Sequence, residues 1–192
     1  MQENDRETFC PANRSQWRQW LQQHHQQKQS IWLIYYKKQA GTTTMSRSEG
    51  IDEALCFGWI DSTARPIDDE KFMQLFTRRK TNSIWSAINK EKVARLVAEG
   101  LMMPAGELSI EIAKKNGSWA ILDDAEALKI PGDLTAAFKT HPGAKAFFTG
   151  LSKTVRKGML TWLVLAKRPE TRQKRIMEIA VLAAQQLKPK QF

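Results

Sequence analysis

The sequence predicts an α+β fold: a small antiparallel sheet, built from one strand and a hairpin and packed with helices, followed by an all-helical C-terminal subdomain. Three observations carry this expectation. SIWLIYYKK, residues 30–38, is rich in β-branched and aromatic residues and runs into Ala40, Gly41 and three threonines, the composition of a strand entering a loop. Residues 59–66 and 71–77 flank Ile67–Glu70, a stretch with two aspartates, as two arms flank a hairpin turn. From Asn82 onward the apolar residues recur at helical spacing.

Taken in order, the first element is a helix over residues 13–27. Asn13 caps it, Gln16 completes a capping-box pattern, and Trp17, Trp20, Leu21 and His24 share one face. His24 and His25 fall near its end, where the helix dipole favours them. The strand at 30–38 is apolar on both faces and is expected to be central. Ser46 and Glu49 form a second capping box, opening a helix through Ile51, Ala54 and Leu55 that ends near Gly58. In the hairpin's second arm Phe72, Gln74 and Phe76 face one way and Met73, Leu75 and Thr77 the other. Asn82 or Ser83 is expected to cap a helix carrying Ile84, Trp85, Ile88, Val93, Leu96 and Val97 up to Gly100. Pro104 opens the next helix, with Leu108, Ile112 and Ala113 as its apolar line and Asn116-Gly117 as its end.

Residues 118–133 read as a connector, and the domains are drawn at 1–125 and 126–192. The second part carries Leu134, Ala137 and Phe138, then Ala144, Phe147 and Phe148, then Leu151, Val155, Met159, Trp162, Leu163 and Ala166 at helical intervals. A last helix begins at Pro169 and places Ile176, Ile179, Ala180 and Ala183 on one side. Arg168, Arg172 and Arg175 overlap that line, so their guanidinium groups need partners, either carboxylates of the body or an external anion. The tail LKPKQF is expected to be mobile.

A chain of 192 residues is long enough to bury a core without disulfides. Cys10 and Cys56 form no ligand pattern, no CxxC is present and there are only three histidines, His24, His25 and His141, so neither a metal nor a cofactor is expected. Cys56, in an apolar run, reads as a small buried hydrophobe. The stretch MQENDRETFCPANRSQ lacks the basic start and apolar core of a secretory signal, and no apolar run approaches the length of a membrane span. A cytoplasmic protein without a transmembrane segment is the expectation.

The net charge of +10 is unevenly placed. Residues 1–70 hold eight basic and ten acidic side chains, whereas residues 71–192 hold 22 and 10. Basicity concentrates from Lys71 to Arg95, with seven basic side chains against one acidic, and from Leu151 to the end, with ten against two. Such segregation points to an anionic partner.

No nucleophile elbow, zinc-protease helix, phosphate-binding loop or dinucleotide fingerprint is present. Asp68, Asp69 and Glu70 are explained by their turn. Asp61 follows Trp59 in apolar company and needs a partner; Arg78, Arg79 and Lys80 are the candidates. In FTRRKTNSIWSAINK three consecutive cations precede Asn82 and Ser83, with Trp85 and Ser86 behind, a composition suited to cradling a phosphate or carboxylate at a helix start. Cations interleaved with an aromatic also suit single-stranded nucleic acid.

ALCFGWIDS (residues 54–62), followed by IDDEKFMQLFTRRKTNSIWSAINKEKVARLVAEGLMMPAG and later by LAKRPETRQKRI, resembles the bacteriocin-protection, YdeI/OmpD-associated family over nearly the whole chain. The family often has proline where this sequence has Arg78. The resemblance implies a compact α+β first part, related to the small YjbR/CyaY-like folds, and a C-terminal helical extension. It also implies a role in protection against bacteriocins or cationic peptides and association with a porin, and it carries over no catalytic residue.

The functional expectation is a non-enzymatic protein that binds an anionic small molecule or phosphate group through Lys37, Asp61, Ser62, Arg78, Arg79, Lys80, Ser83 and Trp85. The alternative is nucleic-acid binding that also uses Arg168, Arg172, Lys174 and Arg175, and an uncharacterised enzyme with a perturbed carboxylate near Asp61 is the third.

Overall fold

The strand and hairpin form most of a four-stranded sheet in the computed structural model, which describes residues 7–42 and 44–192. The chain divides into two units, Met1–Trp119 and Ala120–Phe192. In the first, the strands are β1 (Thr8–Phe9), β2 (Ser30–Tyr36), β3 (Trp59–Pro66) and β4 (Lys71–Arg78), in the order β1-β2-β4-β3. β2 and β3 both run antiparallel to β4, as expected. The short β1 adds a parallel pair, Thr8 with Trp32 and Phe9 with Leu33, so the sheet is mixed.

The alternation within β2 and β4 decides what lies against the helices. Ile31, Leu33 and Tyr35 pair with Phe76, Gln74 and Phe72, and Ile31, Leu33, Tyr35, Gln74 and Phe76 are all buried. Helices α1 (Arg14–His24) and α2 (Arg47–Cys56) supply Trp17, Leu21, Ala54 and Leu55 to the same core. Both helix starts follow their local signals. Asn13 accepts from the Gln16 amide, while the Gln16 side chain reaches the Ala12 amide. Ser46 and Glu49 form the complete reciprocal box.

ALCFGWIDS closes α2 and starts β3. Cys56, Phe57 and Trp59 are buried, and Gly58 turns the chain at φ +72°, a conformation that glycine adopts without strain. Burial also pushes the Cys56 thiol pKa up, with the Glu53 carboxylate adding to it. The carbonyl end of α2 meets the start of α4 (Pro104–Lys115), where the Met103 amide donates to the Cys56 carbonyl at 3.1 Å.

Two expectations in this unit are corrected. Neither Asn82 nor Ser83 begins a helix: α3 spans Ala87–Ala98 and is capped by Ser86, whose Oγ accepts from the Asn89 amide. Ser83 instead accepts from the Lys80 amide in a turn, and the chain beyond it delivers Trp85 to the core before the helix starts. In α4 the buried residues are Gly106, Ile110 and Ala113, whereas Leu108 is 54% exposed. The rotation is set by Gly106, where an added Cβ would collide with the Cys56 carbonyl oxygen.

The second unit is helical: α5 (Asp123–Glu126), α6 (Gly132–Lys139), α7 (Ala144–Gly150), α8 (Lys153–Val164) and α9 (Pro169–Ala184). The short α5 occupies part of the stretch expected to be a connector. Leu134, Phe138, Phe148, Met159, Leu163, Ile176, Ile179, Ala180 and Ala183 make its core, close to the expected set. The tail is not loose as expected. Pro189 is buried, Phe192 packs on Trp162 with ring centroids 5.8 Å apart, and the Phe192 ring lies over Gly158. No helix among the described residues is long and apolar enough to cross a membrane.

Candidate functional site

As β4 ends, its three consecutive cations diverge. The Arg78 amide bonds the Gln29 carbonyl and its Nη2 donates to the Gln26 carbonyl at 2.8 Å, which leaves the side chain on the surface near the end of α1. Arg79, anchored by its amide to the Gly58 carbonyl at 2.9 Å, turns inward and is only 9% exposed. Lys80 is exposed. Alternation along an extended chain produces this pattern, with the middle residue of the three pointing opposite to its neighbours.

Arg79 lies over the Trp85 ring and donates from Nη1 to the Ile84 carbonyl at 3.1 Å. Its Nε and Nη2 are buried with no hydrogen-bond partner in the protein. Burial pulls the guanidinium pKa down to about 10, and the Asp61 charge works in the opposite direction. The group therefore stays charged at neutral pH in a site that penalises the charge.

The three cations share the wall of a cavity of about 450 Å³ with His25 and Gln26 from the end of α1, Phe57 and Gly58 from the head of β3, and one face of α4. That face is Ala105, Leu108, Ser109 and Ile112, positions i, i+3, i+4 and i+7, which stack along one side of a helix. None of the described residues lining the cavity is a carboxylate. The first turn of α4 also borders it, where aligned peptide dipoles place partial positive charge. The chemistry on offer is attraction of an anion at one side of the cavity and apolar contact along the other.

The remaining predicted residues separate. Lys37 donates to the Asp68 carbonyl at 2.7 Å, at the hairpin-turn end of the sheet. The seven residues of β2 put it roughly 20 Å from the exit of β4. Asp61 does not pair with Arg78, Arg79 or Lys80. Its Oδ2 accepts from Gln74 Nε2 at 2.6 Å and lies 3.5 Å from Arg47 Nη2, while Arg47 Nε also donates to Gln74 Oε1 at 2.8 Å. The register explains this: Asp61 stands opposite Phe76, a bulge follows, and Arg78 pairs instead with Trp59. Ser62 is exposed, with a long 3.4 Å bond to the Leu75 carbonyl, and Trp85 is a core residue packed on Trp119 at 4.9 Å.

Of the four basic residues around α9, two are occupied. Arg172 grips Asp133 with Nε at 2.6 Å and Nη2 at 3.1 Å, and its Nη1 donates to the Leu163 carbonyl at 3.0 Å. Arg175 donates to the Trp162 carbonyl and lies over that ring at 4.8 Å. Arg168 and Lys174 are exposed.

The sequence reading missed two carboxylates on α2. Glu53 accepts from Arg14 and Arg18 of α1, and Asp52 pairs with Lys92 and Arg95 of α3. Both carboxylates are buried. Their signal was two adjacent acids running directly into the apolar stretch Ala54–Cys56, and they hold three helices together rather than forming a site. No group of His, Cys, Asp and Glu among the described residues is arranged to hold a metal ion.

Comparison with known proteins divides along the chain. The family model of a domain of unknown function, DUF8412, matches residues 9–109, which include ALCFGWIDS and the whole cavity wall up to Ser109. The model described as Bacteriocin-protection, YdeI or OmpD-Associated matches residues 127–186. The resemblance to that second family therefore holds for the helical part, a narrower span than the quoted motifs implied. No curated protein and no solved structure matches the chain.

Proposed function

Because the chain belongs to the DUF8412 family, whose model covers more than half of it and names no activity, we propose a function from its own cavity: a non-enzymatic binding protein that holds a small anion beside Arg78, Arg79 and Lys80. The observation that carries the reading is the buried guanidinium of Arg79. It sits in the wall of a cavity whose described lining contains two more cations and no carboxylate. A charge kept from water and lacking a bonded counter-charge projects its field into the adjoining space, where the effective dielectric is low. A protective role of the kind named by the C-terminal match would then run through the bound ligand, since a chain of net charge +10 repels cationic peptides.

The test is an amide-resolved NMR titration with inorganic phosphate at low salt. Shifts are expected to centre on Gly58, Lys80 and Ala105, and to fall at least fivefold in the exposed charge reversals Arg78→Glu and Lys80→Glu. Shifts confined to the basic segment around Arg168 and Lys174, or spread evenly over all cationic surfaces, would overturn the assignment.

A further inference from the structure

Resting on the anion-site reading above, we infer that the ligand is amphipathic: a short aliphatic carboxylate whose head lies at the cations and whose chain lies along α4. The cavity is polarised. Arg78, Arg79 and Lys80 all arrive from the exit of β4, and the facing stripe of α4 contributes Ala105, Leu108 and Ile112 with a single hydroxyl, Ser109. From position 105 to 112 that stripe is about 10 Å long at the helical rise of about 1.5 Å per residue. Phe57 adds an aromatic surface at the head of β3.

Leu108 makes the argument specific. The core of this unit takes Gly106, Ile110 and Ala113 from α4, which leaves Leu108 54% exposed on the cavity side with no packing role in that core. A free phosphate or acetate would touch the cations and leave the stripe wet. A carboxylate carrying several methylenes would cover it, and each fully buried methylene improves binding about threefold to fourfold.

Isothermal titration of the full chain with octanoate, acetate and 1-octanol at low salt separates the two layers of the argument. Octanoate is expected to bind at least tenfold more tightly than acetate and than 1-octanol. Leu108→Gln, an exposed and uncharged change, is expected to weaken octanoate about fivefold while leaving acetate unaltered. Equal affinity for octanoate and acetate overturns the amphipathic ligand and leaves the anion site standing. Equal affinity for octanoate and 1-octanol, unaffected by Lys80→Glu, overturns the anion site itself. Octanoate binding that is unchanged in Leu108→Gln places the chain elsewhere and removes α4 from the inference.

Discussion

Arg79 lies on Trp85 with its guanidinium carbon 3.6 Å from the ring centroid, and both side chains are buried. Stacking offsets part of the cost of removing the charge from water, because the ring face carries negative potential. The two residues nevertheless differ in what they contribute. Trp85 belongs to the buried core of the sheet unit and packs on Trp119. Arg79 has one side-chain hydrogen bond and two unpartnered nitrogens. Trp85→Ala is therefore expected to cost about 3–5 kcal/mol of stability. Arg79→Met, which keeps volume and removes the desolvated charge, is expected to stay within about 1 kcal/mol of the parent. Urea denaturation of both variants checks the contrast. A loss of several kcal/mol in Arg79→Met would mean that the cation is structural.

The junction inside ALCFGWIDS makes a second prediction. A Cβ on Gly106 would overlap the Cys56 carbonyl oxygen, and one on Gly58 would lie 2.8 Å from the Ala105 carbonyl oxygen on a backbone already at φ +72°. Either alanine substitution must separate α4 from the end of α2 and is expected to cost about 2 kcal/mol or more. Gly150, at the end of α7, has nothing within 4 Å of an added Cβ. Gly150→Ala is expected to be neutral or to stabilise by about 0.5–1 kcal/mol. Thermal unfolding of the three variants settles the order, and a benign Gly106→Ala would refute the close approach.

The paired carboxylates of α2 are the third case. Glu53 is almost wholly buried and accepts from two arginines of α1. Removing it leaves Arg14 and Arg18, both partly reached by solvent, without their buried acceptor, so Glu53→Ala is expected to cost about 1–3 kcal/mol. Glu111→Ala breaks an exposed, solvent-screened helix pair with Lys115 and is expected to leave the midpoint almost unchanged. Chemical denaturation midpoints compare the two directly. Similar losses would show that burial adds nothing to the α2 pair.

The parts of this fold that were legible in the sequence are those with local causes. Asn13, the Ser46–Glu49 box and Pro104 start helices by hydrogen bonding or geometry within one turn, and the hairpin arms alternate around their own aspartate turn. The errors fall where one local signal competes with another or where packing decides. Asn82, Ser83 and Ser86 are all capping types, and burial of Trp85 in an extended segment selects the last. Leu108 and Ile112 match a helical apolar line, but Gly106 and Cys56 fix the rotation that turns them to the cavity. The Arg-Arg-Lys run was visible as charge. That Arg79 alone turns inward, that Asp61 answers to Arg47 through Gln74, and that Lys37 lies at the far end of the sheet are consequences of register, which no local window contains.

The last prediction concerns acid. Arg172 hydrogen-bonds Asp133 and holds its carboxyl below the usual carboxylate range, although partial burial pulls the other way. The native pKa is thus lower than that of the unfolded chain, near 3.9. Between those values the unfolded state binds more protons, so stability falls as pH drops through that window and is fully present above it. Asp133 is partly exposed, which limits the pair to about 1 kcal/mol or less. Asp133→Asn is therefore expected to lower hydrogen-exchange protection in α6 and α9 by up to about fivefold at pH 6. Below the native pKa the difference from the parent should vanish, because the parent's carboxyl is then neutral as well. A gap that does not begin to shrink as the pH is lowered below the ordinary carboxylate range would show that the asparagine perturbs packing rather than charge, and the ion pair would lose its assigned part in joining the two helices.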